Sequence, residues 1–307
     1  MRLNCCAAST AGSWFTTTVS SISLNKVLLV LTCVLGTFSF AARSDAATLY
    51  AASAAGGPGE LYILNSANGA LLQDVGPLND ANSVNYPITG LAFHPTTGVL
   101  YGSTGNNPVA TAAQLVSIDP ATAFVTVIGS FNAGPVNTSG TPATMADLAF
   151  DAAGNLYGIG SIGGPQLYSI NTATAQATVI GGTGLTSTSG GGLAINAGVF
   201  FGTPTLSRFG TYDSGTGAFT NITNPTKPVG GGYAALDLDG ASLYGLNLGP
   251  GPALETRLVT IDTTTGAVTE LGASVAALDA IAFRVPEPST CMLWAIGLAV
   301  AAVRRRR

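Results

Sequence analysis

The chain is 307 residues long, with 47 % hydrophobic but only 8 % charged residues, 40 glycines and a formal charge of −4. A chain this acidic and this poor in lysine and arginine offers little basic surface on which to hold nucleic acid. One histidine and four cysteines leave little material for an imidazole or thiolate metal centre, or for a disulfide-stapled scaffold.

Residues 1–47 read as a leader and signal peptide. Lys26 opens an apolar run from Val27 to Ala42, and Asp45-Ala46-Ala47 supplies small residues for cleavage before Thr48. A charge, an apolar run and small residues, in that order, make a secretory signal peptide. The stretch before Lys26 is longer than such leaders need, so it is either an extended leader or the product of an upstream start codon. Val30-Leu31-Thr32-Cys33 has the outline of a lipoprotein box. Thr32 stands where a Gly or Ala is needed and Cys33 lies inside the apolar run, so lipidation is not expected.

Residues 48–285 form the body. Cys5, Cys6, Cys33 and Cys291 all fall outside it, so it has no disulfide framework and no thiolate site. Its four basic residues (Arg208, Lys227, Arg257, Arg284) against thirteen acidic ones leave a formal charge of −9. Such a field repels nucleic acid and anionic lipid, and suits cations or a hydrated matrix.

The body repeats two elements. The first is an apolar strand, a turn and a second strand ending in Tyr-Gly or a close variant. It runs from Leu91-Ala92-Phe93-His94 to Tyr101-Gly102, and from Leu148-Ala149-Phe150-Asp151 to Tyr157-Gly158. It returns from Leu193-Ala194-Ile195-Asn196 to Phe201-Gly202, and from Leu236-Asp237-Leu238-Asp239 to Tyr244-Gly245. The second element is a hairpin whose first strand ends in Asn65, Asp119, Asn171, Asp213 or Asp262. A short amide or carboxylate there can accept hydrogen bonds from backbone N–H groups two residues on, and Gly in the turn supplies positive φ. β-Branched and aromatic residues alternating with small polar ones fit half-buried strands. Two hairpins make four strands, and the Asx column recurs at spacings of 54, 52, 42 and 49 residues. That period belongs to four-stranded propeller blades.

The ends of the body decide how the array closes. The first copy begins at Thr48-Leu49-Tyr50 and lacks its leading strand, while a surplus leading strand, Ala280 to Val285, follows the last copy. Pairing the two fragments completes one blade and leaves no open seam. The sequence therefore predicts an all-β, five-bladed β-propeller closed by its N- and C-terminal strands. The alternative is six blades, with weak strands in 132–141 or 183–190; these Gly/Ser/Thr-rich stretches read better as loops.

Residues 286–307 form the tail. Pro286 and Pro288 hold Glu287 in an extended, helix-free segment that an enzyme cleft can grip. Cys291 to Val303 is an uncharged run of 13 residues that includes Leu293, Trp294, Gly297 and Leu298, and it is followed by Arg304, Arg305, Arg306 and Arg307. As a single transmembrane helix it is short for the roughly 30 Å hydrocarbon core, so its flanks must snorkel or the bilayer thin. The four arginines belong on the cytoplasmic side. Handle, apolar run and basic end together resemble the PEP-CTERM sorting signal of Gram-negative bacteria. The resemblance implies that Pro286, Glu287 and Pro288 are the recognition element for an exosortase. It also implies export through the inner membrane, a transient anchor, and delivery to the cell surface or extracellular matrix.

No catalytic set stands out in the body. His94 takes the turn position that Asp151 and Asp239 take in other repeats, and no Ser-His-Asp or His-rich constellation accompanies it. Asp237-Leu238-Asp239-Gly240 lacks the further oxygens and distal Glu of a calcium loop. Asp147 and Asp279 each precede an innermost-strand motif and are the candidate ligands for a channel Ca²⁺, although two carboxylates fall short of six to eight oxygens. Tyr101, Tyr157 and Tyr244 are expected to pack between blades. Asn137-Thr138-Ser139 and Asn221-Ile222-Thr223 match the glycosylation sequon, which carries little weight in a bacterial protein. The expected role is that of a non-enzymatic surface or matrix propeller binding exopolysaccharide, a surface protein or a cation. The alternative is a metal-dependent propeller hydrolase or lactonase with carboxylates in its channel.

Overall fold

Alternating apolar residues and Asx-Gly turns give the described residues twenty short strands in a computed structural model. It describes residues 47–54, 56–106, 109–131, 144–160, 165–185, 191–204, 208–251 and 254–284. The signal peptide, the sorting tail and residues 132–143 and 186–190 lie outside the described residues. In chain order the strands begin with β1 (Thr48–Ser53), β2 (Glu60–Leu64) and β3 (Leu71–Pro77). The second blade has β4 (Ile88–Phe93), β5 (Leu100–Thr104), β6 (Gln114–Ile118) and β7 (Val125–Ser130). The third has β8 (Met145–Phe150), β9 (Leu156–Gly160), β10 (Gln166–Ile170) and β11 (Ala177–Gly182). The fourth has β12 (Leu193–Asn196), β13 (Val199–Gly202), β14 (Phe209–Tyr212) and β15 (Phe219–Thr223). The fifth has β16 (Gly232–Asp239), β17 (Ser242–Leu248), β18 (Thr256–Ile261) and β19 (Val268–Ala273), and β20 (Leu278–Arg284) follows.

These strands form five antiparallel four-stranded sheets, the first ordered β20-β1-β2-β3. The protein is a five-bladed β-propeller. The termini of the body close it as the surplus strand predicts: Thr48 pairs with Arg284, Leu49 with Phe283 and Ala51 with Ile281. The innermost strands of successive blades are β4, β8, β12, β16 and β20.

The turn column behaves uniformly. The side-chain oxygens of Asn65, Asp119, Asn171, Asp213 and Asp262 accept from the N–H groups of Ala67, Ala121, Ala173, Gly215 and Thr264 at 2.9–3.1 Å. Four residues after each Asx the backbone turns left-handed. Gly69, Gly217 and Gly266 serve three blades, whereas Ala123 and Ala175 adopt φ of 60° and 61° in the other two. A non-glycine residue accepts such a conformation only where its surroundings hold it, and both alanines are fully buried.

Two bulges recur that single-sequence patterns do not reveal. Each outermost strand carries an extra residue at an equivalent place, Val75, Ile128, Ile180, Ile222 or Leu271, and β3 has a second at Leu72. The bulge twists an otherwise open edge, and in four of the five blades it turns a large apolar side chain back toward the seam, Ile222 staying exposed. Val75, Ile128, Ile180 and Leu271 accordingly pack against buried clusters. A second bulge sits near the start of the innermost strands, at Thr89, Ala146, Ala234 and Asp279. Thr89 Oγ1 uses it to donate to the Met145 carbonyl of the next blade at 2.7 Å.

Aromatic rings fill the seams. Tyr50 meets Phe93, Tyr101 meets Phe150, Tyr157 meets Phe200 and Tyr244 meets Phe283, with ring centroids 4.7–5.4 Å apart. Each pair joins one blade to the next, as expected for the tyrosine series. The remaining seam uses Phe201 with Leu238 in one apolar cluster. Edge-to-face pairs of this kind stabilise by about 0.5–1.5 kcal/mol beyond their area.

Candidate functional site

The innermost strands all end at one face of the ring, and there a cavity of about 580 Å³ opens. All five blades contribute to its wall. Phe93, Phe150, Ile195, Leu238 and Phe283, the third residue of each repeated Leu-Ala-Phe motif, form an apolar collar. His94, Asp151, Asn196 and Arg284, one residue further on, form a polar rim. The rim is built by turn chemistry. His94 Nδ1 accepts from the N–H groups of Thr96 and Thr97 at 3.2 Å, as the Asp151 carboxylate does from Ala153 and Asn155 at 3.0 and 2.8 Å. His94 is thus the turn residue its column suggests, with its ring against Phe150 at 4.9 Å.

One lining position breaks the pattern. Asp237 stands in a column that is otherwise Ala92, Ala149, Ala194 and Ala282. Its Oδ2 accepts from Phe283 N–H at 2.6 Å, bridging the last blade to the closing strand. Burial, partly offset by the N–H groups of Phe283 and Leu238, pushes its pKa up to about 7. In the sequence Asp237 reads only as part of a repeat strand and of an incomplete calcium loop. Its departure from an alanine column was the signal that could have found it.

Asp147 is fully buried, one position before the motif. It accepts from Leu148 N–H and Leu193 N–H at 2.9 Å and from Leu236 N–H at 3.1 Å, so one carboxyl ties three blades together. An innermost strand is a sheet edge, and its inward N–H groups need partners once water is excluded. Burial raises the pKa of Asp147 well above the ordinary carboxylate value, against the pull of those three donors. Its neighbours in the column are small for a steric reason. A Cβ on Gly90 would lie 2.7 Å from Asp147 Cα, and one on Gly192 would lie 2.4 Å from Leu236 Cγ.

Asp279 is half-buried on the bulge of β20, one column away from Asp147, and burial pushes its pKa up to about 7. Among the described residues no three His, Cys, Asp or Glu side chains come together in a way that could hold a metal ion. The oxygens of Asp147 are committed to backbone donors. Also among the described residues, no helix is long and apolar enough to cross a membrane. Pro286, Glu287, Pro288, the apolar run from Cys291 to Val303 and the four terminal arginines lie outside the described residues.

Fold and tail together define the class: a five-bladed β-propeller carrying a PEP-CTERM protein-sorting motif, which matches residues 284–307. The motif implies processing by an exosortase, with export and a transient membrane anchor before it. The chain belongs to the family described as a repeat of unknown function, DUF6923, whose model matches residues 49–237. No curated protein matches it. Among solved structures it is similar to TolB from Acinetobacter baumannii, at 17 % identity and a TM-score of 0.45, over 81 % of this chain. It spans 57 % of the length of that protein.

Proposed function

We propose that the chain is a non-enzymatic binding protein of the surface or matrix of a Gram-negative cell. In this reading its propeller takes an exopolysaccharide segment at the channel mouth. The observation that carries it is the convergence of five blades on one cavity with an apolar collar and a polar rim. Binding sites are typically concave and mostly apolar, with a few convergent polar groups. A flat sugar face can lie on Phe93 or Phe150 while its hydroxyls reach His94, Asp151 and Asn196. The absence of a recognisable catalytic set in the sequence favours binding over turnover, and no specific observation favours the metal-dependent hydrolase.

Calorimetric titration of the folded body with oligosaccharides from its own matrix tests the proposal. Saturable binding that weakens at least several-fold in Phe150→Ala supports it. Absence of binding, or binding untouched by Phe150→Ala with the fold intact, removes the channel mouth as the site. The delivery step is checked separately by fractionating cells with and without an exosortase. A tail retained in both removes the sorting assignment.

A further inference from the structure

The cavity mouth is also the place where the chain leaves the body. β20 is an innermost strand, and its last two residues, Phe283 and Arg284, line the cavity. The sorting motif match begins at Arg284, and the apolar run begins at Cys291. A fully extended chain advances at most about 3.6 Å per residue, so the membrane segment starts no farther than roughly 25 Å from the mouth.

Two further properties of that face bear on how it meets a bilayer. Strands alternate in direction, so the hairpin turns from β2 to β3, β4 to β5 and their counterparts lie on the mouth face; none is longer than the six residues 65–70. No long loop there holds the ring away from a surface. The charge is one-sided. The turns and strand ends of this face carry Asp119, Asp151, Asp213, Asp239 and Asp262, and Arg284 is its one Lys or Arg among the described residues. Anionic lipid attracts basic segments and repels such a face, so only the tail keeps it near the membrane.

We propose that the sorting tail tethers the propeller mouth-down, turning the cavity toward the bilayer until the tail is removed. Processing then does more than release the protein. It uncovers the cavity to large ligands, a consequence that rests on the binding role given to the mouth. The orientation itself does not depend on that role.

Because the body is free of cysteine, single-cysteine labelling reads the orientation directly. In the full chain, with Cys5, Cys6, Cys33 and Cys291 replaced by serine, Ala152→Cys places a thiol at the mouth. Ala81→Cys, in the exposed connection before β4, places one on the opposite face. Spheroplasts lacking the exosortase are treated with a bulky poly(ethylene glycol) maleimide, and a small maleimide reports intrinsic reactivity. The expected result is that, after normalisation to the small reagent, Ala152→Cys reacts several-fold more slowly than Ala81→Cys in the tail-bearing protein. The two become equal in the processed protein. Equal rates in the tail-bearing protein, or a mouth that stays protected after the tail is gone, overturn the proposal. A cavity that binds no saccharide leaves the labelling ratio unchanged, so the two ideas fail separately.

Discussion

Replacing Asp147 by alanine removes the acceptor for three buried N–H groups on three different blades, those of Leu148, Leu193 and Leu236. Leaving a buried donor unsatisfied costs about 1–3 kcal/mol, which sets a gross loss of roughly 3–9 kcal/mol. Part is returned, because burying the carboxyl is itself unfavourable, as its raised pKa records. We expect a net destabilisation of about 3–6 kcal/mol. At roughly 2–4 °C per kcal/mol for a domain of this size, the melting temperature should fall by about 6–24 °C. Asp147→Asn keeps one carbonyl for Leu193 and Leu236 but turns an amide donor toward Leu148 N–H, so its cost should be smaller, about 1–2 kcal/mol. Urea denaturation of the body, with the m-value checked for constancy, measures both. If Asp147→Ala lies within about 1 kcal/mol of the parent, the carboxyl is not the tie between blades and the reasoning is wrong.

The remaining predictions concern pH, packing, closure and metal. Asp237 and Asp279 have folded pKa values near 7 against 3.8 for the free side chain. The folded state therefore binds more protons across that window. Stability should be greatest near pH 4 and decline toward pH 7, then level off; a melting temperature that is flat or rises between pH 5 and 8 contradicts this. The turn acids Asp80, Asp119, Asp151, Asp213 and Asp262 are shifted the other way, chiefly by hydrogen bonds to their carboxylates, and weaken the fold only as pH drops below about 4. Gly192→Ala should cost about 1–3 kcal/mol through its clash with Leu236, while Gly182→Ala, which meets nothing within 4 Å, should be near neutral by the same melt. Deleting Leu278–Arg284 strips β1 of its inner partner and should give an expanded or associating species by size-exclusion chromatography; a monomeric body with an unchanged cooperative melt would count against closure by β20. Excess chelator should leave the melting temperature unchanged, since Asp147 is engaged by backbone donors; a clear drop would revive a bound cation.

Much of the architecture was legible because propeller blades are local objects. An Asx residue at a strand end and an alternating apolar pattern are short-range signals, and each repeat states them again. The surplus strand after the last repeat announced the closure, in which Leu49 pairs with Phe283. The bulges were not legible. Thr89, Ala146, Ala234 and Asp279 are a threonine, two alanines and an aspartate with no common signature, because a bulge is defined by its partner strand. For the same reason Asp147 and Asp279, which both precede the motif, fall in adjacent columns.

By itself the sequence determined the repeat, the turn chemistry, the pairing that seals the ring and the sorting tail, all of which depend on neighbours along the chain or on composition. Tertiary structure alone decided that Asp147 serves three blades, that Asp237 bridges to the closing strand, and that five equivalent apolar residues form one collar beside the point where the tail departs. The hydrogen bonds among them join residues up to 89 positions apart, and all of these relations exist only once separate sheets meet around an axis from which water has been excluded.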